Sequence, residues 1–337
     1  MNKQILAFGE VMMRLQAPGY ELLTQANTLQ YSFSGTGVNV ASAMTKLGHD
    51  GHIVTKLPDN PIGEAAISFL QRLGVGRNFI TRGGKYLGMY FLENGFGQRS
   101  SRVTYTNRLE SSFNTSSLFD YDMEEIAESA DIIHFCGITL AMVDNVRESI
   151  KFLAEKVKEK GGIVCFDCNY RPSLWEGGYS KAKPYYEEML ALSDIVMMNE
   201  KDAIHILGME AKSTNREDQL RELIPRVAKT YNIQLIAGTH RSINSDNTHS
   251  LKGYMYKNEE FSFSENLSFS VYDRIGAGDA YTSGILHGEM EGFSPEKTVR
   301  FAAAAGMLAS TIVGDTPMST ELEILLAMTG KLEDIKR

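Results

Sequence analysis

Cysteine is scarce in this chain. Cys136, Cys165 and Cys168 are the only three in 337 residues, an odd number that does not suggest a secreted disulfide framework. Cys165 and Cys168 have C-x-x-C spacing, but they fall in Ile163-Val164-Cys165-Phe166-Asp167-Cys168, which reads as a buried strand. Strand residues three apart face opposite sides, and no second cysteine pair completes a zinc site. Long apolar runs are also missing: Ile5 to Phe8 is cut off by Gly9 and Glu10, far too short for a signal segment or a membrane span. There is no excess of basic charge either. The 34 Lys and Arg against 42 Asp and Glu give a formal charge of −8 with no basic run, which disfavours nucleic-acid and anionic-membrane partners. A soluble, cytoplasmic protein is expected. No internal repeat or low-complexity tract is visible.

What the chain does have is alternation. Short apolar strands at Ile5–Phe8, Ile53–Lys56, Asp131–Cys136, Ile163–Asp167, Asp194–Met197 and Ile233–Ala237 alternate with amphipathic helical segments. The pattern predicts an α/β fold with a doubly wound, mostly parallel central sheet and helices on both faces. Val38–Leu47, Glu64–Leu73 and Val146–Glu159 read as helices, closed by Gly48, Gly74 and Gly161 as C-caps. Residues 1–337 are expected to form a single domain. Two segments, about 11–33 and 86–108, break the rhythm. In the second, Tyr86, Gly88, Tyr90 and Leu92 alternate, then the chain turns at Asn94-Gly95 and returns through Arg99 to Tyr105, a hairpin pattern. Together the two segments predict a small sheet over the main one, a lid that would exclude water from a transfer reaction.

The most informative stretch is Asp273-Arg274-Ile275-Gly276-Ala277-Gly278-Asp279, followed by small residues. Glycines ahead of a helix let an anion approach the backbone, and the helix start aims unpaired N–H groups at it. Asp279 in the first turn is placed to take a proton from an attacking hydroxyl. The string resembles the second signature of the ribokinase-like, phosphofructokinase B-type sugar kinases, D-T-x-G-A-G-D, with Arg274 in place of Thr. The resemblance spans nearly the whole chain. It implies a ribokinase-like fold, the lid, Asp279 as catalytic base, and Gly276, Ala277 and Gly278 as the cradle for the transferring phosphoryl group. It further implies ATP and Mg²⁺ as cofactors and leaves a monovalent cation open. In Phe301-Ala302-Ala303-Ala304-Ala305-Gly306 the small side chains permit close helix packing, and the family places this helix beside the adenine.

Phe33-Ser34-Gly35-Thr36-Gly37-Val38-Asn39 resembles the family's first signature, from which Gly35 and Asn39 carry over as substrate contacts. Gly9-Glu10-Val11-Met12-Met13-Arg14-Leu15 is similar to the 2-keto-3-deoxygluconate kinase branch: ribose- and adenosine-type kinases have Asp where Arg14 stands, and a guanidinium cannot accept a hydrogen bond. Arg14 then contacts substrate or is a salt-bridged lid residue. Asp167-Cys168-Asn169-Tyr170-Arg171-Pro172 follows a strand, where open α/β sheets bind ligands, and Arg171 suits a carboxylate. Tyr90 and Tyr105 match family positions near the substrate, with lid packing as the alternative for Tyr90. Thr239 and Arg241 match positions near nucleotide phosphates. Sugar-acid kinases tend to have Tyr-Asp-Arg on the returning lid strand, but here Arg108 lies three residues after Tyr105 and, in a regular strand, would face away; a one-residue bulge would restore its aim. Asn199-Glu200-Lys201-Asp202 resembles the Asn-x-x-Glu motif, with Asn199 near nucleotide phosphate and Asp202 ordering Mg²⁺ through water. It also reads as a helix N-cap. His134, His205 and His240 have no metal-ligand spacing.

The resemblance implies ATP-dependent phosphorylation of 2-keto-3-deoxygluconate, or a close sugar acid, at its terminal hydroxyl. A same-family kinase for a neutral ketose such as fructose would have little need of Arg171. A catalytically silent sugar-acid binder would have no need of Asp279. A nicotinamide dehydrogenase fails because Gly9-Glu10, and no GxGxxG, follows the first strand. The exposed lid edge suggests a homodimer paired through the lid.

Overall fold

The computed structural model describes residues 3–330. In chain order its strands are β1 (Gln4–Phe8), β2 (Met12–Gln16), β3 (Gln30–Ser34), β4 (Asp50–Leu57), β5 (Ile80–Arg82), β6 (Gly88–Glu93), β7 (Arg102–Thr106), β8 (Ile132–Cys136), β9 (Ile163–Asp167), β10 (Ile195–Met197), β11 (Leu235–Ile243), β12 (His249–Lys257), β13 (Glu260–Phe263) and β14 (Leu267–Phe269). Its helices are α1 (Thr36–Lys46), α2 (Pro61–Arg72), α3 (Met123–Ser129), α4 (Gly137–Leu140), α5 (Asp144–Glu159), α6 (Gly178–Leu192), α7 (Glu200–His205), α8 (Arg216–Tyr231), α9 (Ala277–Met290), α10 (Pro295–Ala309) and α11 (Glu321–Ala327).

Period-two burial in the apolar strands accounts for the layering. Ile5, Ile132, Cys165, Ile195 and Leu235 join α9 and α10 in one core, whereas Leu6, Ile133, Val164, Val196 and Ile236 join α5, α6 and α8 in another. Strands buried on both faces run parallel, in the order β5-β4-β1-β8-β9-β10-β11. Antiparallel β12 continues the sheet, with β13 and β14 on its outer edge. Sequence periodicity did not resolve this β12–β14 edge. Cys165 and Cys168 lie in the two different cores as free, buried thiols.

Gly48, Gly74 and Gly161, expected as C-caps, have φ of +88°, +85° and +83°. Each expected helix begins a few residues earlier than its periodicity suggests. α2, for example, starts at Pro61, where Asn60 Oδ1 accepts from the amides of Ile62 and Gly63.

The two irregular segments supply a separate sheet in the order β3-β2-β6-β7. β2 pairs parallel with β6, and β3 and β7 pair antiparallel as its edges. The β6–β7 return is a loop over residues 94–101, longer than the turn expected at Asn94-Gly95, because the strands separate at the Glu93–Arg102 pair.

Helices α9 and α10 pack closely because small residues line their contact. A Cβ on Gly284 would come within 2.5 Å of Ala302 Cα. Gly284→Val should therefore destabilise the chain by about 1–3 kcal/mol, read as a lower urea midpoint; an unchanged midpoint would show that the helices separate at no cost.

Candidate active site

The start of α9 meets the carboxyl ends of the parallel strands. Gly276, its N-cap, has φ +84°, and a Cβ there would collide with the carbonyl oxygen of Asp315. Beyond it, a Cβ on Gly278 would have no heavy atom within 4 Å, so the first turn opens onto free space. Of the three cradle residues expected, Ala277 turns its amide back toward Arg274 O at 3.4 Å. The amides of Gly278 and Asp279, in the first turn, have no intrahelical acceptor. This geometry suits an anion.

Asp279 is 6% exposed. Burial raises its carboxyl to about 6, opposed by the hydrogen bond from Asn39 and the charge of Arg171. Asn39 Nδ2 donates to Asp279 Oδ2 at 2.7 Å, leaving Oδ1 as the oxygen for an incoming proton.

More carboxylates gather around Arg171. Asp167, at the end of β9, is pushed up to about 8, first by burial and then by the charges of Asp279 and Asp202. Asp202 is raised to about 6 by burial. Arg171 offsets all three. It is exposed, and its Nη1 donates only to Tyr170 O at 3.3 Å. The three carboxylates offer the oxygen donors that a hard divalent cation such as Mg²⁺ takes, but among the described residues they do not converge as a three-ligand group, so such an ion would be held in large part through water. Asp202 also caps α7: its Oδ2 accepts from Asn199 N at 2.8 Å, while Asn199 Oδ1 accepts from Lys201 N at 2.9 Å. The helix-cap reading of this motif thus describes the contacts of both side chains.

On β11, alternate side chains part company. His240 Nε2 lies 2.8 Å from Glu200 Oε2, and that buried carboxylate also accepts from Arg216 Nε at 2.6 Å. Thr239 and Arg241 face the other way. Burial and the charge of Arg274 lower the pKa of Arg241, and burial followed by the charges of Arg241 and Arg274 lowers that of His249. Among the described residues neither arginine has an acidic partner. Like charges held together in this way fit a polyphosphate. Arg274, the departure from the signature, thereby joins Arg241.

A small pocket lies under the second sheet, lined by Glu10, Gly35, Tyr105, Arg108, Thr139 and Met142 among others. Gly35 (φ +154°) approaches the Glu10 carbonyl so closely that a Cβ would collide with it. Arg108 faces this pocket. β7 ends at Thr106, and Asn107 at φ +52° turns the chain through the left-handed region, so no strand bulge is needed to aim the guanidinium. Arg108 Nε donates to Glu10 Oε2 at 2.7 Å, and the guanidinium lies 4.8 Å from the Tyr105 ring centre. Its Nη1 is buried with no hydrogen-bond partner. Of the substrate contacts expected from sequence, the pocket thus unites Gly35, Tyr105 and Arg108; Asn39 and Arg171 stand at Asp279.

Arg14 is the salt-bridged residue, 1% exposed. Its Nη2 donates to Asp273 Oδ2 at 2.7 Å and its Nη1 pairs with Asp315. Tyr90, 4% exposed, donates its hydroxyl to Asp315 and lies 2.8 Å from Ser34 Oγ. Burial pushes that phenol up to about 12, so it stays protonated. Tyr90 therefore ties the second sheet to the loop after α10. Sequence reasoning assigned no role to Glu10, Asp167, Asp273 or Asp315. The first three stand inside quoted motifs, at strand or loop ends where ligands bind; Asp315 follows Gly314 and carries no such signal.

A left-handed glycine, open first-turn amides and a buried carboxylate at a parallel sheet's carboxyl edge define a phosphoryl-transfer enzyme. The pfkB family carbohydrate kinase model matches residues 2–321, and the chain belongs to that family. It is 38% identical to an Enterococcus faecalis protein provisionally assigned as 2-keto-3-deoxygluconate kinase, whose crystal structure superposes with a TM-score of 0.95 over 100% of this chain and 99% of the other. The 2-dehydro-3-deoxygluconokinase of Thermotoga maritima superposes at 0.93 with 32% identity over 98% and 99%. A 2-dehydro-3-deoxygalactonokinase from Haloferax volcanii is 26% identical over 98% of both chains. Among the described residues no helix is long and apolar enough to cross a membrane.

Two variants test this geometry. Arg14→Met strands two buried carboxylates and should cost about 3–5 kcal/mol of stability; a loss near zero in denaturant titration would show that the second sheet is held elsewhere. Asn107→Val should raise the KM for the sugar severalfold, while Asn107→Gly leaves it near wild type, because only the first strains the left-handed turn. Equal KM values in the two would detach Asn107 from the aim of Arg108.

Proposed function

We propose that this kinase phosphorylates 2-keto-3-deoxygluconate, or a close sugar acid, at its terminal hydroxyl. The observation that carries the reading is the unpaired, buried Nη1 of Arg108 in a pocket with Tyr105 and Gly35. A substrate carboxylate would satisfy that donor with a charge-assisted hydrogen bond, roughly twice as strong as the one a hydroxyl of a neutral ketose would make. The names of the E. faecalis, T. maritima and H. volcanii proteins support the same substrate class.

Asp279 Oδ1 takes the hydroxyl proton while Asn39 holds Oδ2. The first-turn amides of Gly278 and Asp279 receive the developing phosphoryl charge. When bound, ATP supplies the γ-phosphoryl group and Mg²⁺ neutralises its charge. Asp167 and Asp202 would hold the metal, Asp202 through water, and Arg241, Arg274, Thr239 and Asn199 would line the nucleotide phosphates. Arg171 lies where substrate, metal and phosphoryl group meet. The β2–β3–β6–β7 sheet acts as the lid of a single domain, excluding water. Its outer face carries the exposed Tyr31 in one row with the half-buried Leu15 and Phe91, and two chains are inferred to pair there.

ADP release measured with Mg-ATP should show kcat/KM highest for a 2-keto-3-deoxy acid among 2-keto-3-deoxygluconate, 2-keto-3-deoxygalactonate, gluconate, fructose and ribose. Preference for fructose would overturn the substrate, and sugar-acid binding without turnover would make the chain a silent binder. Arg108→Ala should raise the sugar-acid KM; an unchanged value removes Arg108 as the reader. Asp279→Asn should lower kcat by roughly 10²–10⁴-fold. Because the raised carboxyl must be ionised to act, kcat/KM should climb with pH and level off above about 6. A flat profile from pH 5 to 8 would exclude Asp279 as the titrating base.

A further inference from the structure

The far end of α9 carries a second cluster that phosphoryl transfer does not use. His287 stands in the last turn of this helix, Glu291 is its C-cap, and His49 comes from the loop between α1 and β4. His287 is eight residues beyond Asp279, roughly 12 Å along the helix at 1.5 Å per residue. His49 Nε2 lies 2.8 Å from His287 Nδ1, and Glu291 Oε1 lies 3.9 Å from His49 Nε2. One donor atom from each residue falls within 4.8 Å of the other two. Ligand atoms of a tetrahedral zinc ion stand roughly 3.3 Å apart, given metal–ligand bonds of about 2.0–2.1 Å, so small side-chain shifts would bring all three onto one ion.

Two further observations favour a metal over a plain histidine pair. His287 is 1% exposed, its ring stacked on Phe301 at 4.9 Å and met edge-on by Phe293 at 5.5 Å, so its direction is set by packing. Its outer nitrogen, Nε2, is buried without a hydrogen-bond partner and faces Glu321 Oε1 at 3.5 Å. A metal-bound histidine characteristically presents its second N–H to a carboxylate, which fixes the tautomer that frees the inner nitrogen. The other charges facing the cluster are Lys3, whose Nζ donates to Met290 O at 2.8 Å, and Lys297, which lies 3.2 Å from the Phe293 ring centre. Both cations are directed elsewhere.

We propose that His49 Nε2, His287 Nδ1 and Glu291 bind a divalent transition-metal ion of the zinc class, with Glu321 orienting His287. Two imidazoles and a carboxylate are borderline donors that suit zinc better than magnesium, and water would complete the shell. The ion joins α9 to the α1–β4 loop and so braces, from its far end, the helix that carries Asp279. Its role is structural.

The test is calorimetric titration of the chelator-stripped chain with zinc sulfate, alongside thermal melts, for wild type, Glu291→Gln, His49→Gln and Glu321→Gln. Wild type should bind one zinc at this site and melt about 4 °C higher at a hundredfold excess over Kd. Affinity should fall at least tenfold in each variant, with the melting shift lost in the first two. Glu291 is a half-exposed surface side chain, so its variant keeps the fold whatever becomes of His49. No zinc-dependent heat or melting shift in wild type, or wild-type zinc affinity in Glu291→Gln and His49→Gln, would overturn the proposal.

Discussion

The guanidinium of Arg14 is the contact on which the site depends. It is buried between two carboxylates from distant parts of the chain, Asp273 before the glycine-led start of α9 and Asp315 after α10. Moving such an ion from water into the interior costs several kcal/mol, recovered only through well-placed partners. The same Asp315 accepts from Tyr90, and its carbonyl is the surface against which Gly276 packs. The second sheet, the start of α9 and the loop after α10 thus share one set of contacts. Arg14 therefore serves the site by position, through its two ion pairs.

Around Arg171 the balance runs the other way. Asp167, Asp202 and Asp279 have raised carboxyl pKa values, to about 8, 6 and 6. A raised folded-state value means that the stabilisation is fully present below the unfolded value near 4 and is lost as pH rises through about 6 to about 8. At neutral pH the free site therefore stores electrostatic cost. A bound cation would relieve it, so the same burial that weakens the free protein would strengthen its affinity for a metal.

Much of this was legible in the sequence because it is local. Gly276-Ala277-Gly278-Asp279 at a helix start, the glycines at helix ends, and the period-two strands each encode their conformation within a few residues. Arg108 shows where local reading stops. Its spacing from Tyr105 would turn it away in a regular strand, yet a single left-handed residue, Asn107, returns it to the pocket. Asn tolerates that conformation without demanding it, so the residue type alone could not announce the turn. Tyr90 was similarly ambiguous. Its partner Asp315 lies 225 positions away, and only the packed chain shows the hydroxyl committed to it.

Short windows of the sequence determined the α/β alternation, the glycine-led start of α9 and the place of Asp279 in its first turn, because each rests on backbone propensity or on residue chemistry confined to a few positions. Tertiary structure decided which charges face one another. It set Arg14 between two acids, turned His240 toward Glu200 and left Arg241 beside Arg274, and it brought His49 to His287 across 238 positions. Electrostatic energy depends on separation and burial, and neither quantity exists for a pair of residues until the sheet and its helices have closed around them.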